Sequence, residues 1–494
     1  MTALSDLTKI VLLLLLINVL ILISWGMKKF FTFLPNSIPR KFLHVTAISV
    51  AAYSFILIEN QNYLFALGLL ILGGNYMMVK KGLFENEGSS NKNYGIFLVP
   101  VSYLLLVIFF NRYREIALLS MLILAFSDGF AALIGENFPY KPYKLGGSSK
   151  TLSGSLVFGI FTLLFFIVGF YVFTLSAKFL VEYSLWEEAV FAIYFTVIIT
   201  FIEALSHKGL DNLLIPLFSS ILFYIFFYSG RDISAEQLAV ALLLVGGVIA
   251  ISAKAKFLAS DGLIAASVMG LIIFGLGGFQ WAVPLLVFFF FSSFLSKLKK
   301  IETDAFEKSS VRDAFQVLAN GAIPTVLMLM YYYRGSEFCY LLYLTALAAA
   351  AADTWGTEIG NLAVQKTVSL INFREVEQGL SGGVSILGSF GSLLGAFFVA
   401  LSGLYWVGAD SWEALVLVVA FGFLGMAVDS LLGALLQRKN RCTVCGKLTE
   451  KSVHCGVPTE YYSGVKWLNN DAVNLISIAI SVILFWLIYF AVLK

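Results

Sequence analysis

Apolar residues recur along this chain in long unbroken runs, from Leu7 to the C-terminus, parted by short polar stretches. A helix of about eighteen or more apolar residues crosses a hydrocarbon core ~30 Å thick with its backbone satisfied internally, so each run predicts a membrane span. The runs fall at 7–26, 41–58, 62–79, 94–110, 115–135, 152–177, 188–206, 211–229, 235–253, 260–277, 281–296, 313–332, 338–360, 382–407, 412–436 and 471–492. They number about sixteen, with ends soft by a few residues. The expected fold class is therefore all-α, a polytopic membrane helix bundle. The first run lacks a basic leader and a small-residue cleavage site and is followed by Lys28 and Lys29, so it reads as a retained helix.

Composition agrees: 59% of the 494 residues are hydrophobic and 13% charged, with a mean hydropathy of +0.89, outside the range of a soluble domain. Basic residues accumulate in cytoplasmic loops. With the N-terminus outside, 26 of the 33 Lys and Arg fall in inner loops, which predicts polar sites facing the cytoplasm of a bacterial inner membrane. The net charge of +3 gives no reason to expect a nucleic-acid partner, whereas membrane lipid is implied throughout.

Polar landmarks occur twice in the same order, which suggests two parallel pseudo-repeats, 1–235 and 236–494. The first copy reads Arg40 and His44, Asp128 with Gly135 seven residues on, Lys150 to Ser155, Glu203, then Asp211 and Asn212. The second reads Arg312 and Gln316, Asp353 with Gly360 seven residues on, Ser381 to Ser385, Asp429, then Asn470, Asp471 and Asn474.

An ionised carboxylate at the end of an apolar run, as at Asp128, costs about 3 kcal/mol unless it meets water, a cation or a partner. The loop after it carries Lys141, Lys144 and Lys150 among Gly146, Gly147 and serines. Ser153 and Gly154 then open the next helix, where free N–H groups favour an anion such as phosphate. Asp128, Glu203 and Asp211 all reach the inner surface and offer hard oxygen ligands for Mg²⁺ bridging nucleotide phosphates. Glu203 and His207 are spaced one helical turn apart, as are Arg40 and His44. Lys41 beside Arg40 is equally an orientation signal, and the Gly-Ser cluster equally a turn.

In the second half Arg312, Gln316 and Asn320 make one helical stripe and Asn470 and Asn474 another, expected either to line a polar cavity or to join helices. Asp353 and Glu358 lie on different faces, which suggests separate roles. Cys442, Cys445, His454 and Cys455 in the inner loop 438–466 supply four ligands for a structural Zn²⁺. A metal-free hairpin is the alternative, because His454 and Cys455 are adjacent.

The motifs Arg40-Lys41-x-x-His44, Ser127-Asp128-Gly129, Lys150-Thr151-x-Ser153-Gly154-Ser155, Glu203-Ala204 and Leu210-Asp211-Asn212-Leu213-x-x-Pro216 resemble those of the CTP-dependent polyprenol kinases. This dolichol kinase and phytol kinase group is related to the phosphatidate cytidylyltransferase-like CDP-lipid synthases. The resemblance covers about 25–230 and departs at Ser153, where an acidic residue is common. The second half carries Gly275 to Trp281, Arg312 to Gly321, Asp353-Thr354-Trp355-Gly356-Thr357-Glu358, Ser381-Gly382-Gly383-Val384-Ser385 and Trp467 to Asn474. It resembles the membrane family catalogued as domain of unknown function 92, which includes plant phytyl-phosphate kinase.

Together these resemblances imply a bifunctional isoprenoid kinase, a phosphotransferase that takes a phytol-like alcohol to its monophosphate with CTP or another nucleoside triphosphate and then to the diphosphate. Asp128, Glu203 and Asp211 would hold Mg²⁺ in the first half, with Arg40, Lys41, Lys144, Lys150, Ser153, Gly154 and Asn212 binding nucleotide or substrate and His44 or a carboxylate accepting the hydroxyl proton. Asp353, Asp429 and Asp471 would hold metal in the second. Asp353 and Glu358 would act there in catalysis, beside the binding groups Arg312, Gln316, Asn320, Ser381, Gly382, Gly383, Ser385, Asn470 and Asn474. A cytidylyltransferase and a membrane transporter are the rival readings. Which alcohol is used, and whether two copies form a homodimer, are left open.

Overall fold

The computed structural model describes residues 4–35, 37–80, 95–145, 148–175, 183–230, 233–298, 311–376, 378, 381–407 and 412–492. Some of the basic loop residues behind the orientation argument, Lys81, Lys92, Lys299, Lys300 and Lys308 among them, lie outside the described residues, as do Gly146 and Gly147. The chain divides into two compact units, Met1–Ala239 and Val240–Lys494.

The first unit contains α1 (Asp6–Phe30), α2 (Ser37–Leu57), α3 (Gln61–Lys80), α4 (Gly95–Phe110), α5 (Arg114–Ile123) and α6 (Gly129–Asn137). A π-helical turn, Leu124–Asp128, joins α5 to α6. The hairpin β1 (Pro142–Leu145) and β2 (Ser148–Thr151) follows, then α7 (Leu152–Leu175), α8 (Leu185–Leu205) and α9 (Asp211–Tyr228). Next comes α10 (Ala235–Lys254). The second unit continues with α11 (Ser260–Gly270), a π-helical turn at Leu271–Leu276, α12 (Gly277–Leu295), α13 (Ala314–Arg334) and α14 (Phe338–Gly360). Strands β3 (Val368–Ser369) and β4 (Gly383–Val384) pair, and α15 (Ile386–Val407) and α16 (Trp412–Leu435) follow. A strand-rich segment, β5 (Lys439–Arg441), β6 (Leu448–Thr449), β7 (Val453–His454), β8 (Val457–Pro458) and β9 (Glu460–Ser463), precedes α17 (Asn470–Val492).

Thirteen helical runs among the described residues are long and apolar enough to cross a membrane, fewer than the expected sixteen for three local reasons. Arg40, Lys41 and His44 interrupt the apolar run of α2, and α4 has only 16 residues. The predicted spans 260–277 and 281–296 are one hydrogen-bonded run, Ser260–Leu295, of 36 residues. Straight, it would measure about 54 Å, well beyond a ~30 Å core. It is bent instead at Gly278, whose φ of 68° and ψ of −163° are open to glycine alone at little cost.

The two units repeat one order of elements. In each, an Asp-bearing helix is followed by a two-stranded hairpin, a helix, a helix with an acid near its end, and a helix that opens with Asp211 or, one residue in, Asp471. The close packing repeats as well. A Cβ placed on Gly135 of α6 would lie 3.4 Å from Gly154 Cα of α7, and one on Gly360 of α14 would lie 3.3 Å from Gly388 Cα of α15.

Within the first unit, Phe166, Phe170 and Phe173 of α7 pack on Phe223, Phe226 and Phe227 of α9 and on Phe195 of α8. These rings fill the half of the bundle away from the Asp211 and Glu203 ends of the same helices. In the second unit α14 is the buried centre, because its run Ala348–Ala352 lets neighbouring backbones approach. A Cβ on Gly395 would stand 2.7 Å from the Ala351 carbonyl oxygen, whereas one on Gly246 of α10 would meet nothing within 4 Å. Gly395→Ala is expected to lower the thermal midpoint of the detergent-solubilised protein, by about 1–3 kcal/mol of overpacking, and Gly246→Ala to leave it unchanged. Equal midpoints would show that α15 does not pack on α14 in this way.

Candidate functional site

In the first unit the π-helical turn that ends in Asp128 widens the helix there, a device common at functional positions. The Asp128 Oδ2 lies 2.9 Å from Lys41 Nζ and 3.1 Å from His44 Nε2. The Lys41 contact is a hydrogen bond, while His44 sits off the line of a good one. Lys41 and His44 share a face of α2 by their i,i+3 spacing, which aims both at the same carboxylate. Arg40 points elsewhere and pairs at 2.9 Å with Glu136, both about half exposed.

Glu203 occupies the last turn of α8, and Lys150 of β2 reaches its Oε1 at 2.5 Å and also donates to its backbone carbonyl. Among the described residues the other oxygen, Glu203 Oε2, is buried with no hydrogen-bond partner. Side chains of the two ion pairs are only 10–16% exposed, so their charges are screened far less than those of surface pairs. Asp211 opens α9, and Asp128, Glu203 and Asp211 are near enough for their charges to act on one another. Three carboxylates and two ammonium groups from five elements thus share one end of the unit.

The hairpin register explains which lysine joins them. Tyr143 pairs with Lys150 and Lys144 with Ser149, and successive strand residues face opposite sides. Lys144 is therefore on the exposed side, away from the carboxylates. Ser153 pins the base of the hairpin, accepting from the Tyr140 N–H (3.1 Å) and donating to the Phe138 carbonyl (2.9 Å). The Gly154 N–H donates to Thr151 Oγ1 at 3.2 Å, and the residue's lack of a side chain admits Gly135. Asn212 donates to the Gly95 carbonyl at 3.1 Å, tying α9 to α4. His207 lies beyond Leu205, where α8 ends, so the helical spacing expected between it and Glu203 does not hold.

In the second unit Asp313 caps α13, its Oδ1 accepting from the Gln316 N–H at 3.0 Å while Gln316 Oε1 accepts from the Asp313 N–H. Arg312 is fixed just before the cap by backbone bonds to Phe257 and Ala259. Its half-buried guanidinium makes no ion pair or hydrogen bond with a described residue. Burial pushes its pKa down to about 10, so it remains a cation at neutral pH. The stripe Arg312, Gln316 and Asn320 borders two adjoining cavities. One, of about 190 Å³, is otherwise apolar, walled by residues such as Leu244, Val248, Met269 and Phe289. The smaller, about 40 Å³, is polar and adds Ser296, Thr354, Thr357, Glu358, Asp471 and Asn474.

Helical spacing predicts the stripe, and Thr354 and Glu358, four residues apart, share a face of α14. Ser296 and Thr357 were not singled out, although each is a polar residue inside an apolar run. Asp353 and Asp429 line neither cavity. Asp429 Oδ2 accepts from Ser477 Oγ at 3.2 Å and, with the amide turned to satisfy both its atoms, from Asn474 Nδ2 at 3.1 Å. Asn474 therefore links Asp429 to the polar cavity, and it also donates to the Asn470 carbonyl at 3.1 Å. Asn320 donates to the Gln316 carbonyl at 3.0 Å, while its Oδ1 is buried without a partner among the described residues.

The Ser381–Ser385 segment lies apart from these cavities. Ser381 Oγ donates to Glu450 Oε1, Gly382 takes a φ of +90° against Ala434, and Gly383 pairs with Ser369. Ser385 Oγ accepts from the Gly388 N–H at 3.2 Å, and Gln365 Oε1 from the Leu387 N–H at 3.3 Å, so the amides that open α15 are engaged. Among the described residues, the side chains with ligand atoms converged as for a metal ion are Cys442, Cys445, His454 and Cys455, all within 4.8 Å of one another.

These features define a polytopic membrane protein with an amphiphilic cavity at one end of its second unit. Residues 243–482 match the family described as Integral membrane protein DUF92. An uncharacterized membrane protein of Methanocaldococcus jannaschii is 30% identical over 255 residues, 51% of this chain and 94% of its own length. Protein PGR of Arabidopsis thaliana is 31% identical over 232 residues, 41% of this chain and 80% of its own. The chloroplastic protein VTE6 of the same plant is 25% identical over 232 residues, 45% of this chain and 62% of its own. No solved structure matches. The chain belongs to the DUF92 integral membrane protein family.

Proposed function

We propose that the second unit transfers a phosphoryl group from a nucleoside triphosphate to an isoprenyl monophosphate, and that the first unit makes that monophosphate from the alcohol with CTP. The observation that carries this reading is the pair of adjoining cavities bordered by Arg312, Gln316 and Asn320. An apolar hollow that ends at a guanidinium fits a prenyl chain with an anionic head, and family membership and the motif resemblance favour the same substrate class.

Arg312 grips the monophosphate with its planar fork. Glu358 and Asp471 face the polar cavity with hard oxygen donors and are placed to hold a nucleotide-bound Mg²⁺, which supplies charge neutralisation when bound. Asp429 sets the orientation of Asn474 from behind. In the first unit Glu203 Oε2, buried and unpartnered among the described residues, fits a cation in the same way, together with Asp128 and Asp211. Lys41 and Lys150 face the incoming phosphates, exchanging carboxylate for phosphate oxygen. His44 takes the proton of the alcohol while the new O–P bond forms and the γ-phosphorus parts from the β-bridging oxygen. The basic bias of the loops supports nucleotide entry from the cytoplasmic side.

The test is transfer of label from γ-labelled CTP or ATP to phytol and to phytyl monophosphate by purified protein with Mg²⁺. Wild type is expected to label both products. Asp471→Asn should stop at the monophosphate, and Asp128→Asn should label only when monophosphate is supplied. Release of pyrophosphate with CMP joined to the lipid would favour a cytidylyltransferase. No labelled prenyl phosphate with any alcohol or nucleotide would overturn the kinase reading.

A further inference from the structure

The segment between α16 and α17 takes no part in that chemistry, yet it is built around its own centre. We infer that Cys442, Cys445, His454 and Cys455 bind one structural Zn²⁺, and that this metal holds the segment that joins the end of α16 to the start of α17.

Geometry is the first ground. The four ligand atoms lie within 4.8 Å of one another, with His454 Nδ1 at 3.5 Å from Cys445 Sγ and 3.2 Å from Cys455 Sγ. Three thiolates and one imidazole in a closed cluster suit tetrahedral zinc. Both pairs sit on tight turns. After β5 the Cys442 N–H donates to the Lys447 carbonyl and the Gly446 N–H to the Cys442 carbonyl, each at 3.0 Å. Adjacency of His454 and Cys455, awkward in an extended strand, is resolved between β7 and β8. Cys455 adopts φ 51° and Gly456 φ 76°, which brings the Cys455 sulfur back to the side of the imidazole. A non-glycine residue in that region is strained and persists where its surroundings hold it.

The second ground is that, among the described residues, the segment buries no large apolar side chain of its own. Between Arg438 and Lys466 the buried residues are Asn440, Cys442, Thr449 and Glu450. A stretch of this size without a hydrophobic core needs a staple, and the four ligands are the means available. Cys442, Cys445 and Cys455 form no disulfide.

The placement of the segment gives the metal a consequence. Its base is bonded across, Arg438 N–H to the Leu468 carbonyl (2.9 Å) and Val465 N–H to the Leu436 carbonyl (2.8 Å), so it clamps the end of α16 to the approach of α17. Buried Glu450, between the two ligand pairs, accepts from Ser381. Zinc thereby positions the chain that delivers Asp471 and Asn474 to the polar cavity. The effect on phosphoryl transfer rests on the function proposed above; the metal site does not.

The experiment uses full-length protein purified without a polyhistidine tag. Mass-spectrometric metal analysis should find one zinc per chain, and Co²⁺ substitution should give sulfur-to-cobalt charge-transfer and tetrahedral d–d absorption. Both should vanish in Cys445→Ser. Should that variant fail to fold, chelation of wild type is expected to raise hydrogen exchange across residues 438–466 while amides of α14 stay protected, and added Zn²⁺ should restore protection. Metal-free wild type with a Cys442–Cys445 disulfide, or full zinc content in Cys445→Ser, would overturn the inference. Stoichiometric zinc in a protein without kinase activity would uphold the metal site and remove the functional reading instead.

Discussion

Lys150→Met is expected to slow phosphorylation of the alcohol by about 10²–10³-fold and to destabilise the protein by about 3–5 kcal/mol. Lys150 Nζ lies 2.5 Å from Glu203 Oε1, and the two side chains are 16% and 10% exposed. Removing one member of such a pair leaves the other as an uncompensated buried charge, which costs about 3–5 kcal/mol. Glu203 would then keep neither contact, since its Oε2 has no partner among the described residues. Loss of a cation placed to meet transferring phosphate is expected to lower the rate by about 10²–10³-fold. The double variant Lys150→Met/Glu203→Gln separates the effects. Neutralising both partners should restore much of the thermal midpoint but leave label transfer to the alcohol as slow as in Lys150→Met. Lys144→Met, on the exposed face of the same hairpin, should behave like wild type in both assays. An unchanged midpoint in Lys150→Met would show that the pair does not form.

The contrast between Lys144 and Lys150 shows what the sequence could and could not disclose. Both lie in one basic Gly-Ser stretch, and composition treats them alike; a strand register, which depends on partners across the hairpin, separates them. Helices were legible for the opposite reason. Apolar runs of membrane length report themselves locally, so the expected spans coincide with helices even where the count differs. The difference lies in Gly278, whose left-handed φ bends one long run that the sequence divides in two. Local periodicity also disclosed the stripe Arg312, Gln316 and Asn320, because residues four apart on a helix share a face whatever surrounds it.

Long-range placement was not legible. Helical spacing puts Asp353 and Glu358 on different faces, but which face meets the polar cavity depends on the helices packed around α14, and only Glu358 borders it. His207 has the right spacing from Glu203 for a shared face, yet α8 ends first. Ser381 to Ser385 read as an anion loop, and in the fold its hydroxyls serve Glu450 and the first turn of α15. The cysteine cluster runs the other way. Adjacent His454 and Cys455 are awkward for one site in an extended chain, and the turn at Cys455 brings their ligand atoms to 3.2 Å.

Arg312→Met should eliminate transfer to the isoprenyl monophosphate and at the same time raise, or leave unchanged, the thermal midpoint. The guanidinium is fixed by its backbone at the junction of the two cavities and has no ion pair among the described residues. Burial of an unpaired cation costs stability, as the depression of its pKa to about 10 reflects. A residue kept at such a position against the interest of the fold is what a binding site for an anion requires. The kinetic pattern is specific. Arg312→Lys keeps the charge but loses the two-pronged fork, so KM for the monophosphate should rise by about 10- to 100-fold, the worth of 1.5–3 kcal/mol of charge-assisted hydrogen bonding, while kcat changes little. That split marks binding shared by ground and transition states. Asp471→Asn should give the reverse, a fall in kcat with KM nearly constant. If instead Arg312→Met lowers the midpoint and leaves KM for the monophosphate untouched, the guanidinium serves the fold, and the head-group site must be sought elsewhere in the unit.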